Sequence, residues 1–224
     1  MTDDRTQLRA AVEVCAGLST VALPHLTAPR PGLVEKVFSP DLLRRLPLPL
    51  EEAKPARQTV ALAGPEGFLR DTRWETITDA RSKRPRTRVY ESVHVRSDGW
   101  YSLATLHLAG LLRRHVVCAL YDSRAGDGTL GRHQDQWLGV VLQLRGAKRW
   151  LFWDAEGRAS RTVLVDAGDV LVVPPGVLHD VTTPVLSTHV LFAISDVPLA
   201  PWPPASAPRR IPLPATVPSQ KVLA

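Results

Sequence analysis

Between residues 116 and 194 the chain carries six short apolar runs, and this series constrains its fold more than any other feature. They are "VVCALYD" (116–122), "WLGVVLQL" (137–144), "RWLFWD" (149–154), "RTVLVD" (161–166), "DVLVVPP" (169–175) and "LSTHVLFAI" (186–194). Each is strand-length and rich in β-branched or aromatic residues. Turn-forming clusters separate them: "AGDG", "RGAK", "AEGR", "DAGD", "PPG" and "TTPV". Short strands at this spacing predict an all-β sandwich or barrel. The runs are nearly continuous in apolar residues, which suits strands covered on both faces.

The flanks read differently. "DRTQLRAAVEVCAGL" (4–18) predicts an amphipathic helix with Leu8, Val12 and Cys15 on one face and Gly17 ending it. "SPDLLRRL" (39–46) predicts a second helix, with Ser39 as N-cap and Pro40 at the first helical position. "QTVALAG" (58–64) and "VYESVHV" (89–95) read as strands. "YSLATLHLAGLLRRH" (101–115) reads as a helix with Leu103, Leu106 and Leu111 as its apolar positions. The basic run "RSKRPRTR" (81–88) reads as a solvated loop, with contact to an acidic substrate as the sharper alternative. The expected organisation is 1–115 supporting the barrel, 116–195 as catalytic core and 196–224 as a proline-rich tail. Such a tail cannot enter a central sheet; Trp202 is its candidate anchor.

Composition excludes several classes. The net charge of +6 suits an anionic ligand but does not establish nucleic-acid binding, which ranks last. No apolar run reaches the roughly 18 residues of a membrane span, and the polar start is no secretory signal. The two cysteines, Cys15 and Cys118, have no metal-type spacing and read as buried thiols. A cytoplasmic setting is the expectation.

The chemistry centres on "GRHQDQW" (131–137). On a strand, His133 and Asp135 present an imidazole and a carboxylate on one face. Such an HxD arises often by chance, and a polar strand edge is the plain alternative. His179, in "GDVLVVPPGVLHDV" (168–181), offers a third ligand at the start of a strand. The 44 residues from Asp135 to His179 leave room for about four short strands, enough to bring the chain back. Two histidines and one carboxylate on one face of a metal form the pattern of non-haem Fe(II) oxygenases.

"GRHQDQWLGVVLQLRGAKRWLFWD", "GDVLVVPPGVLHDVTT" and "STHVLFAI" together resemble the JmjC/cupin-like Fe(II)- and 2-oxoglutarate-dependent oxygenases, nearest to the branch of the ribosomal oxygenases. The resemblance covers roughly residues 116–195. It implies a mainly β fold, a double-stranded β-helix (jelly-roll/cupin) barrel with flanking N-terminal helices. It implies His133, Asp135 and His179 as catalytic Fe(II) ligands. Lys148, fifteen residues after His133, falls where the family keeps the lysine that holds the distal carboxylate of 2-oxoglutarate. A buried ammonium is compensated by that anion, while a turn lysine in "RGAKR" is the alternative. Lys148, Trp150 and Phe152 share one parity, which points Lys148 inward. Tyr121 falls where the branch often keeps an active-site tyrosine. His189 falls on a strand where some relatives bind cosubstrate, with a core histidine as the alternative. Ala119 and Ala193 depart from the polar residues that relatives carry.

The implied activity is hydroxylation of a C–H bond of an amino acid, peptide or small molecule, with release of succinate and CO2. A metal cupin that uses no 2-oxoglutarate, a dioxygenase or isomerase, is the alternative, and it would have no use for Lys148. Partners are expected to be the small-molecule or peptide substrate; a homodimer is left open.

Overall fold

In the computed structural model the chain is described over residues 4–28, 30, 32–47, 60–65, 67–71, 80–83, 85–95, 99–154, 156–199 and 209–211. The helices α1 (Asp4–Thr27), α2 (Pro40–Arg44) and α3 (Trp100–Leu112) accompany eleven strands among the described residues. The strands are β1 (Leu33–Lys36), β2 (Val60–Gly64), β3 (Gly67–Asp71), β4 (Thr87–Tyr90), β5 (His115–Ser123), β6 (Leu138–Trp153), β7 (Ala159–Asp166), β8 (Asp169–Val173), β9 (His179–Thr182), β10 (Ser187–Ser195) and β11 (Arg209–Ile211). The larger sheet runs β1-β8-β6-β10-β5-β4-β2-β3-β11, and the second half of β6 pairs with β7 and β9 to make the opposing sheet. Every strand pair among the described residues is antiparallel. This is a jelly-roll/cupin barrel with an N-terminal helical layer.

Each face of the larger sheet has its own cover. Val116, Cys118, Leu120, Val140, Leu142, Val190 and Phe192 share one core with Leu18 of α1 and Leu108 of α3. The opposite parity, including Tyr121, Val141, His189 and Leu191, faces the barrel interior. Burial on both faces explains why these strands read as continuous apolar runs.

The segment "RGAK" is not a turn. It lies inside a single sixteen-residue strand, β6, which passes from one sheet to the other. Gln143 pairs with His189 and Arg145 with Thr188, so Leu144 is an extra residue, a β-bulge. The Gln143 amide donates to the Arg145 carbonyl (2.7 Å) and to Ser187 Oγ (2.8 Å), filling that irregularity. Gly146 then takes φ +61°, and a Cβ there would lie 1.6 Å from the Leu186 carbonyl oxygen. The bulge inverts the strand's parity: Val141 lines the interior before it, and Lys148 and Trp150 after it.

Other expectations change too. α1 continues to Thr27, past Gly17, because Gly17 marks close packing against Phe38 (2.4 Å from a notional Cβ) and not a helix end. Leu8 and Val12 are exposed; Ala11, Val14, Leu18 and Val21 form the buried stripe. α3 likewise exposes Leu103, Leu106 and Leu111 and buries Trp100, Ala104, Leu108 and Leu112. In both helices small residues join the buried face, which counting leucines overlooks. The strand read over 89–95 stops at Tyr90 and gives way to a 3-10 turn, Val93–Val95. Ser39 does cap α2, its Oγ accepting from the Leu42 amide at 3.2 Å. In the tail, β11 pairs with β3 at the outermost edge; Trp202 lies outside the described residues. Cys15 and Cys118 are buried free thiols. Among the described residues no helix is long and apolar enough to cross a membrane.

Candidate metal and cosubstrate site

Two backbone hydrogen bonds bring the candidate ligands together. The His133 amide donates to the His179 carbonyl and the His179 amide to the His133 carbonyl, both at 2.8 Å. This is an isolated antiparallel bridge: residues 131–137 form no strand, contrary to the expectation for His133 and Asp135, and the single bridge is what puts the two imidazoles side by side. The Pro-Pro-Gly turn closes the arrangement, the Gly176 amide donating to the Asp135 carbonyl at 2.8 Å.

Side-chain orientation follows from one device used twice. His133 Nδ1 lies 2.7 Å from the Gly131 carbonyl, and His179 Nδ1 lies 2.9 Å from the Val177 carbonyl. A carbonyl only accepts, so each Nδ1 carries the proton and each Nε2 keeps its lone pair. His179 Nε2 is 3.8 Å from Asp135 Oδ2, and one donor atom from each of the three residues lies within 4.8 Å of the others. Burial lowers the His179 imidazole to about 4, with the neighbouring His133 adding to the effect. Burial raises the Asp135 carboxyl, and His133 opposes that. A neutral imidazole is the ligating form. Two nitrogen donors, one carboxylate and fixed tautomers fit a divalent first-row metal with further positions open.

The trio opens into a cavity of about 70 Å³ that also holds Lys148, Tyr121 and His189. Lys148 is 2% exposed, and among the described residues no hydrogen bond reaches its ammonium. Burial pulls its pKa from 10.5 down to about 7, while the charges of Asp127 and Asp122 work the other way. His189 is buried and stacks on Tyr121, ring centroids 4.7 Å apart and planes within 7°. Burial and the Lys148 charge hold the His189 imidazole well below the usual histidine range. Among the described residues its Nδ1 has no hydrogen-bond partner, nor has Trp150 Nε1 beside it. Trp150 also tilts against His179 at 5.5 Å, walling the metal side. All six residues singled out from the sequence therefore meet in one cavity. Ala193 shares the strand parity of His189 but does not line the cavity.

Three nearby charged residues were not singled out. Buried Arg81 and Asp127 and half-buried Asp122 form an ion cluster, with Arg81 Nη1 3.1 Å from Asp122 Oδ2 and Nη2 3.0 Å from Asp127 Oδ2. Arg81 and Arg86 of the basic run are buried, so the run is not simply a solvated loop. No short-range spacing could signal a pairing over 41 residues.

No protein-family model and no curated protein matches the chain. Solved structures do. The fold is similar to that of YcfD, a ribosomal oxygenase from Escherichia coli, at TM-score 0.57 and 17% identity, over 81% of this chain and 52% of that one. The same enzyme in complex with cobalt and 2-oxoglutarate gives the same values. Its complex with cobalt and succinic acid gives TM-score 0.54 and 18% identity, over 77% and 49%. The chain thus spans about half the length of the structures it resembles.

Proposed function

We propose that this chain is an Fe(II)- and 2-oxoglutarate-dependent oxygenase that hydroxylates a C–H bond of an amino acid, peptide or small molecule. One observation carries the reading: a fully buried lysine, reached by no hydrogen bond among the described residues, shares a cavity with a two-histidine, one-carboxylate cluster. A buried ammonium is costly unless an anion joins it. A dicarboxylate whose keto-acid end reaches the metal would bring its other carboxylate to Lys148. The solved relatives named above bind cobalt with 2-oxoglutarate or succinic acid, which accords with this reading.

Each residue then has a task. His133, Asp135 and His179 hold the metal, and the single carboxylate leaves a net positive centre that favours an anionic chelator. Bound iron and 2-oxoglutarate supply the oxygen activation, with succinate and CO2 as co-products. Lys148 fixes the distal carboxylate. His189 donates to it through Nε2–H, the tautomer favoured because Nδ1 faces no acceptor. Tyr121 orients that imidazole by stacking. Trp150, Val141 and Leu191 keep the inner cavity dry, which strengthens the ion pair.

The test is an anaerobic titration with Fe(II) and 2-oxoglutarate, watching for the visible charge-transfer band of the chelate. The band should form in wild type, vanish in His133→Ala and need far more 2-oxoglutarate in Lys148→Ala. Tight iron binding with no band would overturn the reading in favour of a metal cupin that uses no 2-oxoglutarate.

A further inference from the structure

His133 stands on irregular chain, so the segment before it has to be held by something other than a strand ladder. Up to Gly128 the backbone does this. The Gly126 amide donates to the Thr183 carbonyl (2.9 Å), the Gly128 amide to the Pro85 carbonyl (3.1 Å), and the Thr87 amide to the Gly128 carbonyl (3.0 Å). From His133 onwards the bridge to His179 and the Gly176 bond to the Asp135 carbonyl take over. Residues 129–132 lie between these ties. Among the described residues, none of their backbone groups pairs with another backbone group. Their hydrogen bonds run through one side chain instead. The Gly131 amide donates to Thr129 Oγ1 at 3.3 Å, and the Gly131 carbonyl accepts from His133 Nδ1 at 2.7 Å. Arg132 adds an exposed contact over the Trp153 ring, 4.6 Å from its centroid.

A threonine hydroxyl has one proton and two lone pairs. The Gly131 amide takes a lone pair, which leaves the proton for an acceptor. Asp180 Oδ1 is that acceptor, 3.5 Å away, a long contact for a hydroxyl and a carboxylate. Asp180 is itself held, the same oxygen accepting from the Val181 amide at 2.7 Å. It follows His179 directly on β9. The contacts therefore make a ring through both histidines. They run from His133 to Gly131, on to Thr129 and Asp180, and from the adjoining His179 back to His133 through the two backbone bonds. Gly131 has φ +73°, and a Cβ there would meet nothing within 4 Å, so the position demands a left-handed backbone and not room. His179 has a shorter support: its Val177 partner sits in the Pro-Pro-Gly turn, where the Val177 amide donates to the Pro174 carbonyl (3.4 Å). Thr129 also lines the cavity that holds the three ligands.

We propose that Thr129, tied to Asp180, is a positioning residue for the metal: its hydroxyl fixes the Gly131 carbonyl that sets the tautomer and direction of the His133 imidazole. This rests on the metal-binding part of the reading above and needs no cosubstrate. Without the hydroxyl, residues 129–131 lose the side-chain bonds that hold them between Gly128 and His133. The backbone bridge to His179 remains, so the ligands still assemble, but His133 is no longer aimed. Groups that orient a metal ligand in this way act on affinity through the ligand they hold.

The experiment titrates Co(II) into the metal-free protein and reads both the affinity and the visible ligand-field spectrum. Thr129→Val keeps the branched shape and removes the hydroxyl; it should weaken Co(II) about tenfold and shift the cobalt bands. Thr129→Ser restores the hydroxyl and should return the affinity to within about twofold of wild type. Asp180→Ala should also weaken Co(II), and the Thr129→Val/Asp180→Ala protein should lose no more than the larger single loss, because both act through one chain of contacts. Wild-type affinity and spectrum in Thr129→Val, whatever its urea midpoint, overturn the proposal, since the hydroxyl then serves the fold alone. A serine that fails to restore binding overturns it too, and losses that multiply in the double variant overturn the link to Asp180. Should Thr129→Val fail to fold, Asp180→Ala decides: an unchanged cobalt affinity and spectrum overturn the proposal. Wild type that binds no Co(II) overturns the metal reading and the positioning role with it. Normal wild-type binding with unaffected variants overturns the positioning role alone.

Discussion

Replacing Lys148 by methionine should make the empty protein more stable while removing its response to cosubstrate. The ammonium is 2% exposed, and burial takes its pKa from 10.5 to about 7. At ~1.4 kcal/mol per pH unit that shift corresponds to roughly 5 kcal/mol of destabilisation when the lysine is held charged. Not all of it returns on substitution, because the charges of Asp122 and Asp127 lose their partner; a gain of roughly 2–4 kcal/mol is expected, in line with hydrophobic replacement of buried charges. The sign with pH is fixed. In this range the unfolded chain holds the lysine proton and the folded chain sheds it, so wild-type stability rises as pH climbs from about 7 towards 10.5. The advantage of Lys148→Met is therefore greatest at and below pH 7 and smaller by roughly 2 kcal/mol at pH 9. With a denaturant slope of about 2 kcal/mol/M, the urea midpoint moves up by about 1–2 M at pH 7. The assay is urea unfolding of metal-free protein at pH 6, 7 and 9, followed by tryptophan fluorescence. A variant less stable than wild type at all three pH values would refute the reasoning, because Lys148 would then be a satisfied structural cation.

Three further outcomes are expected. Gly146→Ala forces a left-handed backbone costing about 1–2 kcal/mol, and its Cβ meets the Leu186 carbonyl at 1.6 Å, so the β6–β10 register must move. Its unfolding free energy should fall by more than about 4 kcal/mol, read as a lower urea midpoint or insoluble expression. His179→Ala should lower Co(II) affinity by roughly 100-fold, as loss of a metal ligand does, while the far-ultraviolet circular dichroism stays unchanged. Ser39→Ala removes the cap on the Leu42 amide; about 1 kcal/mol should be lost in thermal unfolding, with no effect on cobalt binding.

The legible part of this chain was the part written in local pattern. Strand length, turn residues and the His133–Asp135 pair are properties of neighbouring residues, and the barrel brings His179, 44 residues further on, to that pair so that ligand atoms of all three lie within 4.8 Å. The shared parity of Lys148, Trp150 and Phe152 was legible for the same reason, since it lies wholly beyond the irregularity in β6. The irregularity itself was not. "RGAK" carries the residues of a turn, and what keeps it extended is pairing with partners more than forty residues away, Ser187 and Thr188 of β10, together with the Gln143 amide that fills the bulge. Helix faces were misread because Leu8, Val12, Leu103 and Leu106 outweigh Ala11 and Ala104 in any count of hydrophobicity. Close packing sets small residues among large ones on the buried stripe, and the leucines off that stripe are left to solvent.

The buried ions mark the further boundary. Arg81 sits in a basic run whose composition suits water, and only the fold supplies the two carboxylates, 41 and 46 residues on, that draw it inside. The same holds for Lys148, whose cost of burial is set first by its own surroundings and eased by the charges of Asp127 and Asp122. The His133–Asp135 pair can be carried by a short motif because its geometry is local to three residues. Charge balance cannot, because it is a property of everything within reach in space. The pocket therefore joins a site that sequence pattern can suggest to an electrostatic support that only tertiary structure reveals, and Lys148 is the residue where the two meet.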